Sequence, residues 1–311
     1  MPELNPSPTR RPGLAPLARP DGTLAIVAMD QRNTLRRMLT AAGRPAEPGE
    51  LRSFKADVVT ALSPAASAVL LDPEFGVPAA RDADALAPGC AMLVAVEPAE
   101  RVSWAGEPRV RRDADRTASW VVGLGGDAVK LLIQLRPDRP RRAGEPDLVA
   151  EAVDAVRAVV DDCAASGVPS VIETLLYRLP GEDPLPARKR ADLIAESARI
   201  LTGTGPDLLK LEYPGDAQGC RAVADAVTVP WAMLSAGMPF PAFRTAVATA
   251  CDEGGASGFI AGRVYWQEAV ALAGPARQQF LTSAGRQRLD ESITAMAGRA
   301  RPWFTPGRAI R

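Results

Sequence analysis

Eight short apolar runs punctuate the chain: Leu24–Met29, Ala68–Asp72, Cys90–Val96, Ala128–Ile133, Ser170–Leu176, Leu208–Tyr213, Trp231–Ala236 and Gly258–Gly262. Each has the length of a strand and lacks the strict polar alternation of a strand with one wet face, so strands buried on both faces are expected. Between them lie stretches in which apolar residues recur every three to four positions, among them Thr34–Ala42, Leu51–Leu62, Asp147–Ala165, Ala187–Thr202, Cys220–Ala226 and Phe240–Glu253. That period predicts helices. Strand and helix in alternation imply parallel strands joined by crossovers. Eight such units read as an α/β fold, a (β/α)8 TIM barrel in one domain, which typically needs about 250 residues plus insertions. An open doubly wound sheet is the competing architecture. Against it, the first strand runs into Asp30-Gln31-Arg32 with no Gly-x-Gly-x-x-Gly turn for a dinucleotide.

Residues 1–20 are rich in proline and are expected to be a flexible N-terminal segment, with the barrel over 21–311. Two stretches read as polar excursions at the C-terminal face: Arg136 to Pro146, dense in proline and arginine, and Gly181 to Pro186. The tail from Gln278 to Ala300 predicts a closing helix, anchored by aromatic burial at Pro302-Trp303-Phe304.

Charge narrows the possible partners. Acidic and basic residues balance at 37 each, so no global field gathers nucleic acid or anionic lipid. A small anion would need a local pocket, and neutral charge leaves homo-oligomerisation open. No apolar run approaches the roughly 18 residues of a membrane span, and the N-terminal segment lacks the apolar centre of a signal peptide, so a cytoplasmic location is expected. Cys90, Cys163, Cys220 and Cys251 form no Cys-x-x-Cys pair and read as ordinary thiols. The chain has no histidine, which removes Ser-His-Asp triads, Cys-His dyads and the usual histidine-bearing zinc sites. An oxygen-only magnesium site stays open on composition.

Of the 37 lysines and arginines only four are lysines: Lys55, Lys130, Lys189 and Lys210. Lys130 and Lys210 sit inside apolar strand runs. Arginine stays protonated, whereas a desolvated lysine can lose its proton and attack a carbonyl, so Schiff-base chemistry at one of these two is the leading expectation. Lys55 and Lys189 fall on helices and are expected to be solvated.

Reacting groups of such barrels project from the C-terminal strand ends. That rule gathers Asp30, Gln31 and Arg32 after the first strand, Asp72 and Glu74 after the second, Lys130, Glu173 and Lys210 in the fourth to sixth, Ser235 and Gly237 after the seventh, and Arg263 after the eighth. Lys210 would be the nucleophile, Lys130 a neighbouring cation that eases its deprotonation, Glu173 the proton carrier and Asp30 a positioning carboxylate. Plainer roles compete. Either lysine could pair with Glu173 from a neighbouring strand, Asp30 could cap the first helix, Asp72–Gly76 could be only a turn, and Arg178 with the Arg136–Arg142 cluster could be a solvated loop. Glycine, serine and arginine at the last two strand ends suit a phosphate.

Several segments together resemble the class I tagatose-1,6-bisphosphate aldolases and the related sulfofructose-phosphate aldolases. They are Met29-Asp-Gln-Arg32, Ala61–Pro64 leading to Leu71-Asp-Pro-Glu-Phe-Gly76, Asp127-Ala-Val-Lys130, Ile172-Glu173, Leu209-Lys-Leu-Glu212, Pro230-Trp231 with Leu234-Ser-Ala-Gly237, and Gly258–Arg263 with Trp266. The resemblance implies a barrel lyase that needs no metal or other cofactor and cleaves a phosphorylated ketose to dihydroxyacetone phosphate and a three-carbon aldehyde. It puts the Schiff-base lysine on Lys210, the second lysine on Lys130 and the acid/base carboxylate on Glu173. It also puts the phosphate arginine on Arg263 beside Ser235 and Gly262, and substrate contacts on Asp30 and Gln31. The loops after the fourth and fifth strands depart from the family, so they would face the variable end of the substrate.

Overall fold

The strand runs close on themselves in a computed structural model that describes residues 13–304. Eight parallel strands form the barrel: β1 (Leu24–Met29), β2 (Ala68–Leu71), β3 (Ala91–Ala95), β4 (Ala128–Leu135), β5 (Ser170–Leu176), β6 (Leu208–Glu212), β7 (Trp231–Leu234) and β8 (Gly258–Ala261), with β8 pairing back onto β1. Alternation of side chains divides each strand between two cores. Ala25, Val27 and Met29 of β1 face the helices, while Leu24, Ile26 and Ala28 point inward. The inward set continues through Leu70, Leu93, Ala128, Val171, Leu208 and Ile260. Small residues at Ala28, Ala68, Ala95, Ala128 and Ala232 let this interior fill without strain.

The expected flexible segment at 1–20 is only partly described, because residues 1–12 lie outside the described region. From Gly13 onward the segment is packed: Leu14 and Leu17 are buried in the inner core and plug the N-terminal end of the barrel. Trp303 packs against that cluster and donates its backbone N–H to the Gly22 carbonyl, so the tail does anchor there, while Phe304 packs edge-on against Trp303 and keeps 37% of its surface exposed. The closing segment runs as Gly274–Phe280, a wider turn over Leu281–Gly285, and Arg286–Met296.

Helices start and stop where side chains satisfy their free ends. Asp147 and Asp216 accept the N–H groups of Ala150 and Gly219, and Gly167 and Gly255 end their helices in left-handed conformations. Three features escape the apolar pattern: a hairpin of Val102–Trp104 with Glu107–Arg109, and the short helices Gly76–Asp82 and Ala118–Gly123. The loop after β4 also differs from expectation. It is not simply solvated, because Arg136 is buried against Asp138, Glu182 and the Tyr177 carbonyl, and Arg139 is buried against Glu107. Tyr177 donates to the same Glu107 carboxylate, so this polar cluster pins the hairpin to the loops after β4 and β5. Buried arginine is tolerated here because each guanidinium has a carboxylate fork.

No helix among the described residues is long and apolar enough to cross a membrane.

Candidate active site

The inward alternation that fills the barrel also builds the site. Two residues beyond Ala128, Val171 and Leu208 come Lys130, Glu173 and Lys210, so three neighbouring strands each raise one charged group directly above the apolar layer. Register places Glu173 opposite Lys210 across the β5–β6 ladder. One oxygen, Oε2 of Glu173, accepts from Lys210 Nζ at 2.9 Å and lies 2.8 Å from Lys130 Nζ. Both lysines are buried, at 1% and 4% exposure for Lys130 and Lys210.

Lys130 is enclosed further. Its ammonium donates to Asp30 Oδ2 at 2.9 Å and to Glu97 Oε1 at 2.6 Å. Glu97 is held in turn by the Leu132 backbone N–H. The competing reading of Asp30 as a helix cap is set aside, because the first helix begins at Asn33 behind Arg32 and Asp30 turns into the barrel. Burial alone would raise the Asp30 and Glu173 carboxyls, but the Lys130 and Lys210 charges outweigh it and hold both below the ordinary carboxylate range. Burial alone would lower Lys130, yet Asp30, Glu173 and Glu97 raise it well above its usual value. Lys130 is therefore a permanently charged hub matched by three carboxylates rather than a bare cation beside Lys210.

Glu97 escaped the sequence reading. It lies two residues beyond Ala95, in phase with the inward-facing Ala91, Leu93 and Ala95, so the alternation that exposes Lys130 also points to it. Lys55 was misplaced. It is completely buried in the helix Pro48–Leu62, ion-paired to Asp72 at 2.5 Å, and not solvated. Lys189 is half-exposed and pairs with Asp138 and Glu182.

A cavity of about 690 Å³ opens above these groups, walled by Asp30, Gln31, Arg32, Glu97, Lys130, Glu173, Lys210 and Arg263. Gln31 donates a side-chain amide N–H to Asp30 Oδ1, and its buried side-chain Oε1 has no hydrogen-bond partner among the described residues. Arg32 commits its guanidinium to Glu74 and the Glu97 carbonyl, which makes it a brace for the cavity wall. The Asp72–Gly76 turn is real, closed by Asp72 accepting the Phe75 N–H, and it presents Glu74 to Arg32 and Arg116.

At the other side, the Arg263 guanidinium has no hydrogen bond or ion pair among the described residues. Gly237 lies directly behind it: a Cβ there would stand 2.9 Å from the guanidinium, and φ of +80° suits only glycine. Gly262 packs on β1, where a Cβ would meet the Ala28 carbonyl oxygen at 1.9 Å, so its absent side chain seats the β8 end against β1. Ser235, at the end of β7, is buried, and no hydrogen bond joins it to Arg263 among the described residues. Arg263 thus faces the cavity, with Gly237 packed against its guanidinium and Gly262 seating the strand end that carries it.

A closed parallel barrel whose mouth holds buried amines, carboxylates and an uncommitted arginine defines an enzyme site for a small polar molecule. A family model for the DeoC/LacD family aldolases matches residues 24–268, and the chain belongs to this family: it is an aldolase, a carbon–carbon lyase. The tagatose 1,6-diphosphate aldolase of Listeria monocytogenes serotype 4a (strain HCC23) is 27% identical over 94% of this chain and 93% of the relative. Tagatose 1,6-diphosphate aldolase 2 of Streptococcus pyogenes serotype M1 is 26% identical over 91% and 93%. Among solved structures, an archaeal fructose 1,6-bisphosphate aldolase superposes with a TM-score of 0.60 at 18% identity, covering 90% of this chain and 98% of its own. The fructose-bisphosphate aldolase of Plasmodium falciparum gives 0.70 at 12% identity, over 92% and 93%. At those identities the superpositions speak for the fold.

Proposed function

We propose that the chain is a class I aldolase that cleaves a phosphorylated ketose through a Schiff base on Lys210, with tagatose 1,6-bisphosphate as the favoured substrate and dihydroxyacetone phosphate and glyceraldehyde 3-phosphate as products. The observation that carries this reading is the Lys210–Glu173–Lys130 bridge at the cavity floor. A lysine amine must be neutral to attack, and Lys210 has a carboxylate oxygen 2.9 Å away to receive its proton. The amine adds to the C2 carbonyl, Glu173 passes the proton it took from Lys210 to the carbinolamine hydroxyl, and that group leaves as water to give an iminium and restore the Glu173 carboxylate. Glu173 takes the proton of the C4 hydroxyl, the C3–C4 bond breaks, and its electron pair moves into the iminium to leave an enamine and the free aldehyde. Protonation of the enamine and hydrolysis release the ketone product and restore Lys210. The iminium accepts the electron pair, so the scheme needs no metal. The three carboxylates around the floor already converge on the Lys130 ammonium.

Arg263 would hold the phosphate near C1, since its guanidinium is uncommitted and faces the cavity. Arg37 and Arg101 also line the cavity without an acidic partner among the described residues, which favours a substrate with a second anion. A sulfofructose phosphate shares that feature, and the names of the two bacterial relatives favour the bisphosphate.

Borohydride reduction in the presence of dihydroxyacetone phosphate tests the reading. A stable adduct should map to the peptide containing Lys210, and turnover should survive excess chelator. No adduct under conditions that trap a known class I aldolase would sink it. A comparison of kcat/KM for the bisphosphate and the sulfonate then separates the two substrates, because sulfonate carries one fixed charge where phosphate carries up to two. Arg263→Ala should raise KM for dihydroxyacetone phosphate-derived substrates by about 10- to 100-fold, the scale of a lost charged hydrogen bond, and Arg263→Lys should recover only part. An unchanged KM would move the phosphate elsewhere.

A further inference from the structure

Lys55 and Asp72 form an ion pair with no exposure at all, outside the catalytic cavity and untouched by the chemistry proposed above. Replacing such a pair by apolar groups of similar size is commonly neutral or stabilising, so stability is a poor reason for it. Burial does hold the Lys55 ammonium below its ordinary value even against the attraction of Asp72. Its hydrogen bonds indicate another purpose. The ammonium donates to the Met29 backbone carbonyl at 2.7 Å and to the Gln31 backbone carbonyl at 2.8 Å, and Asp72 Oδ1 stands 2.5 Å from it as the ion-pair partner. Those two carbonyls belong to the residues on either side of Asp30. The second oxygen of Asp72 accepts the Phe75 N–H, which ties the same anchor to the turn after β2. Gly76 is pressed against this carboxylate, since a Cβ there would stand 3.0 Å from Asp72 Oδ1. The backbone that carries Asp30 is therefore gripped from behind, while its carboxylate reaches Lys130 at 2.9 Å in front.

We propose that Lys55, held by Asp72, is a positioning residue that fixes the backbone at Met29–Gln31 and so sets the reach of the Asp30 carboxylate to Lys130. A displacement of about 1 Å in a group that orients the reacting atoms can cost on the order of 100-fold in rate. Two carbonyl bonds from one buried, side-chain-locked amine are a rigid way to prevent it.

The test is a mutant cycle in the full-length enzyme. Lys55→Met/Asp72→Asn removes the amine without stranding a buried carboxylate; it is made in the wild-type chain and in the Asp30→Asn chain, with folding followed by circular dichroism and thermal denaturation. Anchoring predicts a kcat loss of about 10- to 100-fold in the wild-type background, with KM held within about threefold. The loss should shrink to about twofold or less once Asp30 is already asparagine, because the two changes act through one group. Lys55→Gln/Asp72→Asn, whose amide still donates to the carbonyls, should recover part of the loss, and it replaces the methionine variant in the cycle if that variant does not fold. Wild-type kcat in the folded variant, or the same fold-loss in both backgrounds, overturns the inference. So does failure of both variants to fold, which would make the pair a folding element. The inference rests on the Schiff-base reading, and the borohydride adduct of the unmutated enzyme separates the two. An unmutated enzyme that traps no adduct sinks that reading, whereas one that traps beside a fully active double variant sinks only the anchoring.

Discussion

Replacing Lys210 by alanine should abolish the borohydride adduct and lower kcat by on the order of 10⁴- to 10⁶-fold, the scale seen when a covalent nucleophile is removed. The size of the effect follows from the site. Lys130 is the other amine at the floor, and it is bound on three sides by carboxylates and held charged by them, so it offers no lone pair to replace the missing nucleophile. The fold should survive, because among the described residues Lys210 makes a single ion pair, with Glu173, and Glu173 keeps Lys130. Thermal denaturation within a few degrees of wild type, combined with full loss of turnover, is the expected pattern. Substantial residual turnover with an adduct now mapping to the Lys130 peptide would reassign the nucleophile. Glu173→Gln, measured beside it, should trap the adduct with dihydroxyacetone phosphate but cleave ketose slowly, since carbinolamine formation and C–C cleavage place different demands on the carboxylate.

Most of the barrel was legible because a strand buried on both faces leaves an unbroken apolar run, and all eight runs are barrel strands in the structure. The hairpin at 102–109 left no such trace: its strands are three residues long, and its buried anchor is Glu107, a charged residue whose partners Arg139 and Tyr177 come from distant loops. Pairing across the fold, invisible in local composition, also explains Arg136. The lysines of the site were legible for the opposite reason, as charges inside apolar runs. Glu97 was within reach of the same reasoning, had the inward phase of Ala91, Leu93 and Ala95 been carried past the last apolar residue. Lys55 carried a signal as well. Leu51, Phe54, Val58 and Leu62 form the buried stripe of its helix, and Lys55 falls on that stripe, four residues after Leu51 and three before Val58. A lysine on the apolar face of a helix needs a buried acceptor, and the helical period gives its direction but not the identity of the partner. The roles of the glycines divide in the same way: Gly237 and Gly262 sit at the corner expected for an anion, but what requires them is the approach of Arg263 and of the β1 backbone.

Lys130→Met should destabilise the enzyme by about 3–5 kcal/mol near neutral pH, and the deficit should shrink on acidification. The substitution removes the cation that Asp30, Glu97 and Glu173 share and leaves Glu173 with Lys210, Glu97 with a longer contact to Arg32 at 3.9 Å, and Asp30 with no ion pair among the described residues. In the wild type the folded Asp30 and Glu173 carboxyls sit below their ordinary range. Their contribution is thus complete above the unfolded carboxylate values of about 4 and is lost as pH falls through the lower folded values. Lys130 has the opposite sign: its raised value gives a contribution that is complete below about 10.4 and is lost as pH rises through the folded value. Without the ammonium, Asp30 and Glu173 lose the attraction that outweighs their burial, and burial and mutual repulsion then both disfavour their charge, so the protonation of these two carboxyls is pushed upward. Folding of the variant then takes up protons, and its stability improves as pH drops from about 7.5 toward about 5, while that of the wild type barely moves over the same interval. Denaturant titrations of both proteins at the two pH values measure the difference directly. A deficit of equal size at both would mean that methionine fails in packing rather than charge, and the three carboxylates would have to be neutralised by something other than Lys130.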